Sequence, residues 1–301
     1  MGLLSRWRGP RAVDGVRWRS LGDADRDAVR ALIDRSVSAD GAARAGYGAW
    51  SYSGTVGGHG VGGFAGEQLV AAASVSTRRV PTVEGHVDPS YRGRGLGGAV
   101  LDWALTRAPS NAVVRAAALT ADKQRLFESR GLHLTAMLEN LWRPLGEPVE
   151  IAPPPPGISI AEWNDEGGFE VYRQAFADLP SSPFADAEQP GRSFADWTYW
   201  MDLSDLIDSV SLLAWDEEDA LVGFVACWEG GPLQVGTVPA WRRRGLGRAL
   251  LTAAMARVVA RPDYDEPAQI EVNADNAAAV RLFLGCGFQP DFREAYFTAR
   301  R

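Results

Sequence analysis

The chain has 301 residues, of which 46% are hydrophobic and 23% charged, a globular composition with length enough for two domains that each bury their own core. No apolar run reaches the roughly 18 residues of a membrane-spanning helix, so no membrane role is expected. The net charge of −7 excludes a basic, nucleic-acid-binding protein. Residues 1–150 hold 19 Lys and Arg against 15 Asp and Glu, whereas residues 151–301 hold 12 against 23. An acidic second half would steer a cationic amine toward it; acidic loops also simply keep a protein soluble. The start of the chain is basic at Arg6 and Arg8 but has no long apolar core or small-residue cleavage site, and a cytoplasmic location is expected. Cys227 and Cys286 sit singly in apolar segments and read as reduced core thiols. His59, His86 and His133 show no ligand spacing, so no metal is expected.

In chain order, residues 16–21 alternate like a strand, and Asp23 and Asp25 cap a helix whose apolar residues are Val29, Ala31, Leu32 and Ile33. Strands follow at 60–66, 69–77 and 81–87. A glycine-rich turn then leads into a helix through Leu101 and Leu105, a strand at 112–118, a helix ending at Gly131 and a strand at 136–143. Pro153, Pro154, Pro155 and Pro156 cannot sit inside a helix or central strand and mark a stiff linker. Beyond it the same order returns: strand 158–163, helix 169–176, strands 210–215, 221–228 and 233–238, a glycine turn, strand 270–273 and a helix from Asn276. The expected architecture is a mixed α/β sheet, twice over, with domains at 1–150 and 151–301.

The duplication is visible residue by residue. Val87-Asp88-Pro89-Ser90-Tyr91-Arg92-Gly93-Arg94-Gly95-Leu96-Gly97 matches Thr237-Val238-Pro239-Ala240-Trp241-Arg242-Arg243-Arg244-Gly245-Leu246-Gly247. Downstream, Arg125-Leu126-Phe127 and Gly131-Leu132 match Arg281-Leu282-Phe283 and Gly287-Phe288. A repeat of about 150 residues is a duplicated domain, because solenoid units run roughly 20 to 50. The turn itself has a chemical use: glycines let main-chain N–H groups converge at a helix N-terminus, which binds phosphate, and the arginines add charge suited to a diphosphate. It lacks the Lys and Ser/Thr of a P-loop, and it follows a middle strand rather than the first strand of a dinucleotide fold.

With Asn276, Ala279, Leu282, Phe283, Gly287 and Phe288 following the second turn, the pattern resembles the GNAT superfamily of N-acetyltransferases. Two fused copies resemble, in arrangement only, the mycothiol synthase family. The resemblance implies acetyl-CoA, or another acyl-CoA, as co-substrate and a small-molecule amine as acceptor. It implies that the main chain of Val235, Gly236 and Thr237 pairs with pantetheine, that the amides of Arg242, Arg243, Arg244, Gly245, Leu246 and Gly247 hold the diphosphate, and that Asn276 and Phe283 flank the thiol end. The first half offers Gly85 and Val87, then Arg92, Gly93, Arg94, Gly95, Leu96 and Gly97, for the same tasks, with Thr120 replacing the asparagine.

Acyl transfer also needs a base for the amine and an acid for the leaving thiolate. The superfamily often takes the acid from a tyrosine on the last helix, where this chain has Phe127 and Phe283. Substitutes are Tyr296, or after it Cys286, for the acid and, for the base, Glu229 or Glu271 in the second half and Glu84 with His86 in the first. Acceptor specificity is expected between the first and second strands, around Tyr47, Trp50 and Tyr52 in one half and Phe184, Phe194, Trp197, Trp200 and Met201 in the other; spacing of i, i+3, i+4 equally fits a helix seated on its sheet. Two readings follow. One is an acetyltransferase working through its second domain, as a monomer or homodimer, with the first domain a degenerate partner that shapes the acceptor cleft or holds a structural CoA; the other is a non-catalytic acyl-CoA-binding scaffold.

Overall fold

A computed structural model describes residues 9–42, 60–76, 81–144, 146–176, 194–195, 197, 206–228, 231–262 and 267–299. Two compact units divide the chain, residues 1–138 with 291–301 and residues 139–290.

Unit one opens with β1 (Arg17–Ser20) and α1 (Arg26–Ala39). The Asp25 carboxylate accepts from the Gly22 amide at 2.9 Å and from Arg19 Nη1 at 2.8 Å, fixing the chain where the helix begins. Val29, Leu32, Ile33, Ser36 and Val37 recur at three- and four-residue spacing, so one stripe of α1 is buried. β2 (Gly60–Ala65), β3 (Gln68–Ser76) and β4 (Thr82–Val87) form an antiparallel run with β1. After α2 (Leu96–Leu105), β5 (Val113–Ala116) runs parallel to β4 and is followed by α3 (Ala121–Glu128). The neighbour of β5 on its other side is β12 (Gln289–Ala299), antiparallel, with Ala295 opposite Ala116 and Phe297 opposite Val114. One face packs Val83, Val114, Ala295 and Phe297 with Leu96, Val100 and Leu101 of α2 and Phe127 of α3. On the other, Ala72 and Ala117 pack with the α1 stripe.

Unit two begins inside β6 (Leu132–Arg143), which starts in unit one. It contains β7 (Ser159–Glu162), α4 (Asp165–Phe176), β8 (Leu212–Trp215), β9 (Leu221–Trp228) and β10 (Gly231–Thr237), then α5 (Leu246–Val259), β11 (Ala268–Asn273) and α6 (Ala277–Gly285). β7, β8, β9 and β10 form one antiparallel sheet, and β11 pairs with β6. Trp197 is fully buried between Trp163, Phe169 and Tyr172, with its ring centroid 5.9 Å from that of Trp163. It seats the core here, and burying a side chain of this size is worth about 3 kcal/mol or more. Tyr47, Trp50, Tyr52, Phe184, Trp200 and Met201 lie outside the described residues.

The expected elements are present with shifted ends. α1 runs six residues past Ile33, and the last strand of the first repeat starts at Leu132. The proline run at 153–156 forms neither helix nor strand. Both thiols are in apolar surroundings: burial pushes Cys227 up to about 12 and also raises Cys286. Among the described residues no helix is long and apolar enough to cross a membrane, and no group of His, Cys, Asp and Glu could hold a metal. Each sequence repeat closes on a long strand, and in space those closures are exchanged. β12 completes the sheet of unit one, while residues 139–143 of β6 belong to unit two.

Candidate active site

The two glycine turns have the same backbone. β4 ends at Val87 and a single 3-10 turn, Pro89–Tyr91, precedes Gly93 at φ 76 and Gly95 at φ 83. β10 ends at Thr237, and Pro239–Trp241 leads to Arg243 at φ 61 and Gly245 at φ 92. Gly95 and Gly245 take a left-handed conformation that other residues adopt only with strain, and this turns the chain straight into α2 and α5. The first helical bonds run from Ala99 to Gly95 O and from Ala249 to Gly245 O, both 3.0 Å. Neither helix has a side-chain cap. The N–H groups of Leu96 and Gly97, and of Leu246 and Gly247, therefore precede the first intrahelical bond, as an anion site requires.

The arginines divide the work. Arg94 and Arg244 stack on Tyr91 and Trp241, with 4.7 and 4.9 Å to the ring centroids. Arg92 and Arg242 instead turn inward. Their Nε atoms donate to Val87 O at 3.4 Å and Thr237 O at 3.3 Å, and their Nη2 atoms to Ser36 O at 3.1 Å and Ala175 O at 2.8 Å. Each thus ties the turn to the end of the first helix of its repeat. In unit one Arg11 also donates to Gly95 O, at 3.1 Å.

Downstream of the turns, Asn276 Oδ1 accepts from the Ala279 amide at 3.1 Å and Thr120 Oγ1 from the Lys123 amide at 3.3 Å, so both residues cap the helix that follows. Phe283 and Phe127 are buried, edge-on to Phe288 and Phe297.

The strands beside the turns differ. In unit one, β4 pairs with β3 without interruption and with β5 through Thr82–Val113 and Val83–Val114. In unit two, β10 and β11 belong to separate sheets, and the register of β10 against β9 shifts between Pro232 and Gln234, leaving Leu233 without a partner. A Cβ on Gly236 would meet Phe224 at 2.4 Å and Ala175 of α4 at 3.0 Å, so Gly236, and by alternation Gln234, faces α4. Gln234 Oε1, and Asn140 Nδ2 on β6, are buried without a hydrogen-bond partner. Glu271 on β11 is exposed. Glu229 lies outside the described residues.

Glu84, His86 and Tyr296 come together in unit one. Arg115 donates from Nη1 to Glu84 Oε1 at 2.9 Å and from Nη2 to Glu294 Oε2 at 2.9 Å, while Tyr296 Oη and Arg115 Nε both donate to Glu294 Oε1. Tyr296 stands on β12, opposite Arg115. His86 is buried with Nδ1 unpartnered; burial first, then the charges of Lys123, Arg115 and Arg92, outweighs Asp40 and pushes its pKa down to about 3. The imidazole is neutral across the physiological range. Sequence reasoning missed Arg115, Glu294, Lys123 and Asp40 because isolated charges look like solvated surface.

Comparisons with known proteins agree with this geometry. The acetyltransferase (GNAT) family matches residues 28–133 and again 149–288. Mycothiol acetyltransferase of Thermobispora bispora is 30% identical over 283 residues, 88% of this chain and 92% of its own. That of Tsukamurella paurometabola is 31% identical over 250 residues, 79% and 82% of the two chains. A GCN5-related N-acetyltransferase from Sphaerobacter thermophilus shares the fold with a TM-score of 0.75 at 23% identity, over 94% of this chain and 95% of that one. So does a tandem GNAT protein from the clavulanic acid biosynthesis pathway, with a TM-score of 0.59 at 16% identity, over 94% and 98%.

Proposed function

Because the chain belongs to the acetyltransferase (GNAT) family, and so moves acetyl from acetyl-CoA to the amine of a small molecule, we propose that its second unit carries the transfer. The observation that supports this is the state of β10. It leads into an uncapped glycine turn, has no ladder to β11 among the described residues and bulges at Leu233. The main chain of Val235, Gly236 and Thr237 then pairs with the pantetheine arm, the amides of residues 242–247 hold the diphosphate, and Asn276 and Phe283 flank the thioester.

The neutral amine attacks the thioester carbonyl, and a β10 amide next to the bulge stabilises the oxyanion. The C–S bond breaks as the nitrogen loses its proton to Glu271 or to Glu229, and the thiolate is protonated through water. Gln234 Oε1, an acceptor aimed toward α4, orients the amine N–H. With both helix positions held by Phe127 and Phe283, most of the acceleration comes from proximity. The names of the relatives point to an amine of the mycothiol series as acceptor. The acidity of the chain and its two reduced thiols support a cytoplasmic enzyme with no nucleic-acid partner.

The test is release of CoA from acetyl-CoA with mycothiol-series amines and a wider amine panel. Gly245→Trp should lower turnover at least about 100-fold, the scale on which loss of positioning acts, while Gly95→Trp keeps it. Tight acetyl-CoA binding without turnover on any amine would instead favour the scaffold reading.

A further inference from the structure

The first unit carries a bonded bridge that has no counterpart among the described residues of the second. At one end Lys123 Nζ, at the start of α3, donates to Ala117 O at 2.5 Å and Ala118 O at 3.0 Å, the carbonyls just beyond β5. It also pairs with Asp40 Oδ2 at 2.8 Å. Asp40, at the end of α1, holds Arg92 through Oδ1 at 2.6 Å and Oδ2 at 3.1 Å. Arg92 reaches Val87 O, the last carbonyl of β4. The chain Lys123–Asp40–Arg92 therefore joins the C-terminal ends of β4 and β5, the two strands between which a thioester arm would thread.

The Lys123–Asp40 pair is enclosed, with the Asp40 side chain 3% exposed and that of Lys123 21%, while Arg92 reaches it from the surface. Burial, partly offset by Asp40, lowers the pKa of Lys123. Parting a buried pair of this kind shifts an equilibrium on the order of a hundredfold or more. Aligning Thr120 with Asn276 places Ala279 where unit one has Lys123, so that helix of unit two carries no cation at this position. One further difference points the same way: β4 pairs with β3 without the bulge of β10.

We propose that the Lys123–Asp40–Arg92 bridge closes the first unit to acetyl-CoA, so that each chain loads one co-substrate molecule, in the second unit. This rests on the reading of unit two as the acetyl-CoA site. The experiment is native mass spectrometry and titration calorimetry of the full chain with CoA, on wild type, Lys123→Ala, Lys123→Met and Gly245→Trp, with thermal melts confirming that each is folded. Wild type should bind one molecule and Gly245→Trp none. Lys123→Ala and Lys123→Met should bind two, with turnover per chain unchanged. Two molecules on wild type, one retained by Gly245→Trp, or one on both folded Lys123 variants would overturn the bridge as a barrier while leaving unit two as an acetyl-CoA site in the first and last cases. No binding to wild type would remove that underlying reading itself.

Discussion

His86 is a neutral imidazole enclosed among Lys123, Arg115, Arg92 and Asp40. Its pKa lies near 3 in the folded chain against an ordinary 6.5, so below pH 6.5 the unfolded chain takes up a proton that the folded chain refuses. The stability due to this residue is complete above that pH and is lost as pH falls toward 3, with a slope approaching about 1.4 kcal/mol per unit. Urea midpoints of wild type and His86→Gln between pH 7.5 and 4.5 should show the difference between them shrinking on the acid side; a constant difference would contradict the neutral ring. The phosphate turn was legible in the sequence because its chemistry lies in main-chain angles that Gly95 and Gly245 announce directly. The second role of the arginines was not. Arg92 and Arg242 count as positive charge in sequence, and only folding reveals that their guanidiniums bind Ser36 O and Ala175 O.

The Glu84–Arg115–Glu294 cluster ties β4, β5 and β12 together across the sheet of unit one. Glu294 is fully buried, and Arg115 is shared by the two carboxylates. Replacing Arg115 by Met leaves both acids enclosed without their cation and should cost about 3–5 kcal/mol, as breaking a buried pair does. Urea unfolding monitored by circular dichroism would test this, and a loss below about 1 kcal/mol would show the acids to be hydrated. Periodicity gave these strands and the helices beside them, since Val29, Leu32, Ile33 and Val37 space like a buried helical stripe. It could not choose the neighbour of β5. β6 and β12 hold the same place in their repeats, so alternation predicts a closing strand for each half and leaves its partner open.

At the scale of the whole chain, the duplication was readable from the two matched turns, and the exchange of closing strands was not. Fragments 1–150 and 151–301 should each lack one strand of a compact unit and carry another that belongs elsewhere. Expressed separately, they should aggregate; expressed together, they should copurify and regain the circular dichroism of the intact chain. Soluble, independently melting fragments would count against the exchange. The same arrangement reverses the usual order of maturation on the ribosome, where domains generally fold from the N-terminus onward. Residues 139–290 have all their strands before Ala295 and Phe297 are made, but the sheet begun at Arg17 waits for those two residues. A nascent chain stalled before Ala295 has emerged would hold a finished second unit and a first one still missing β12.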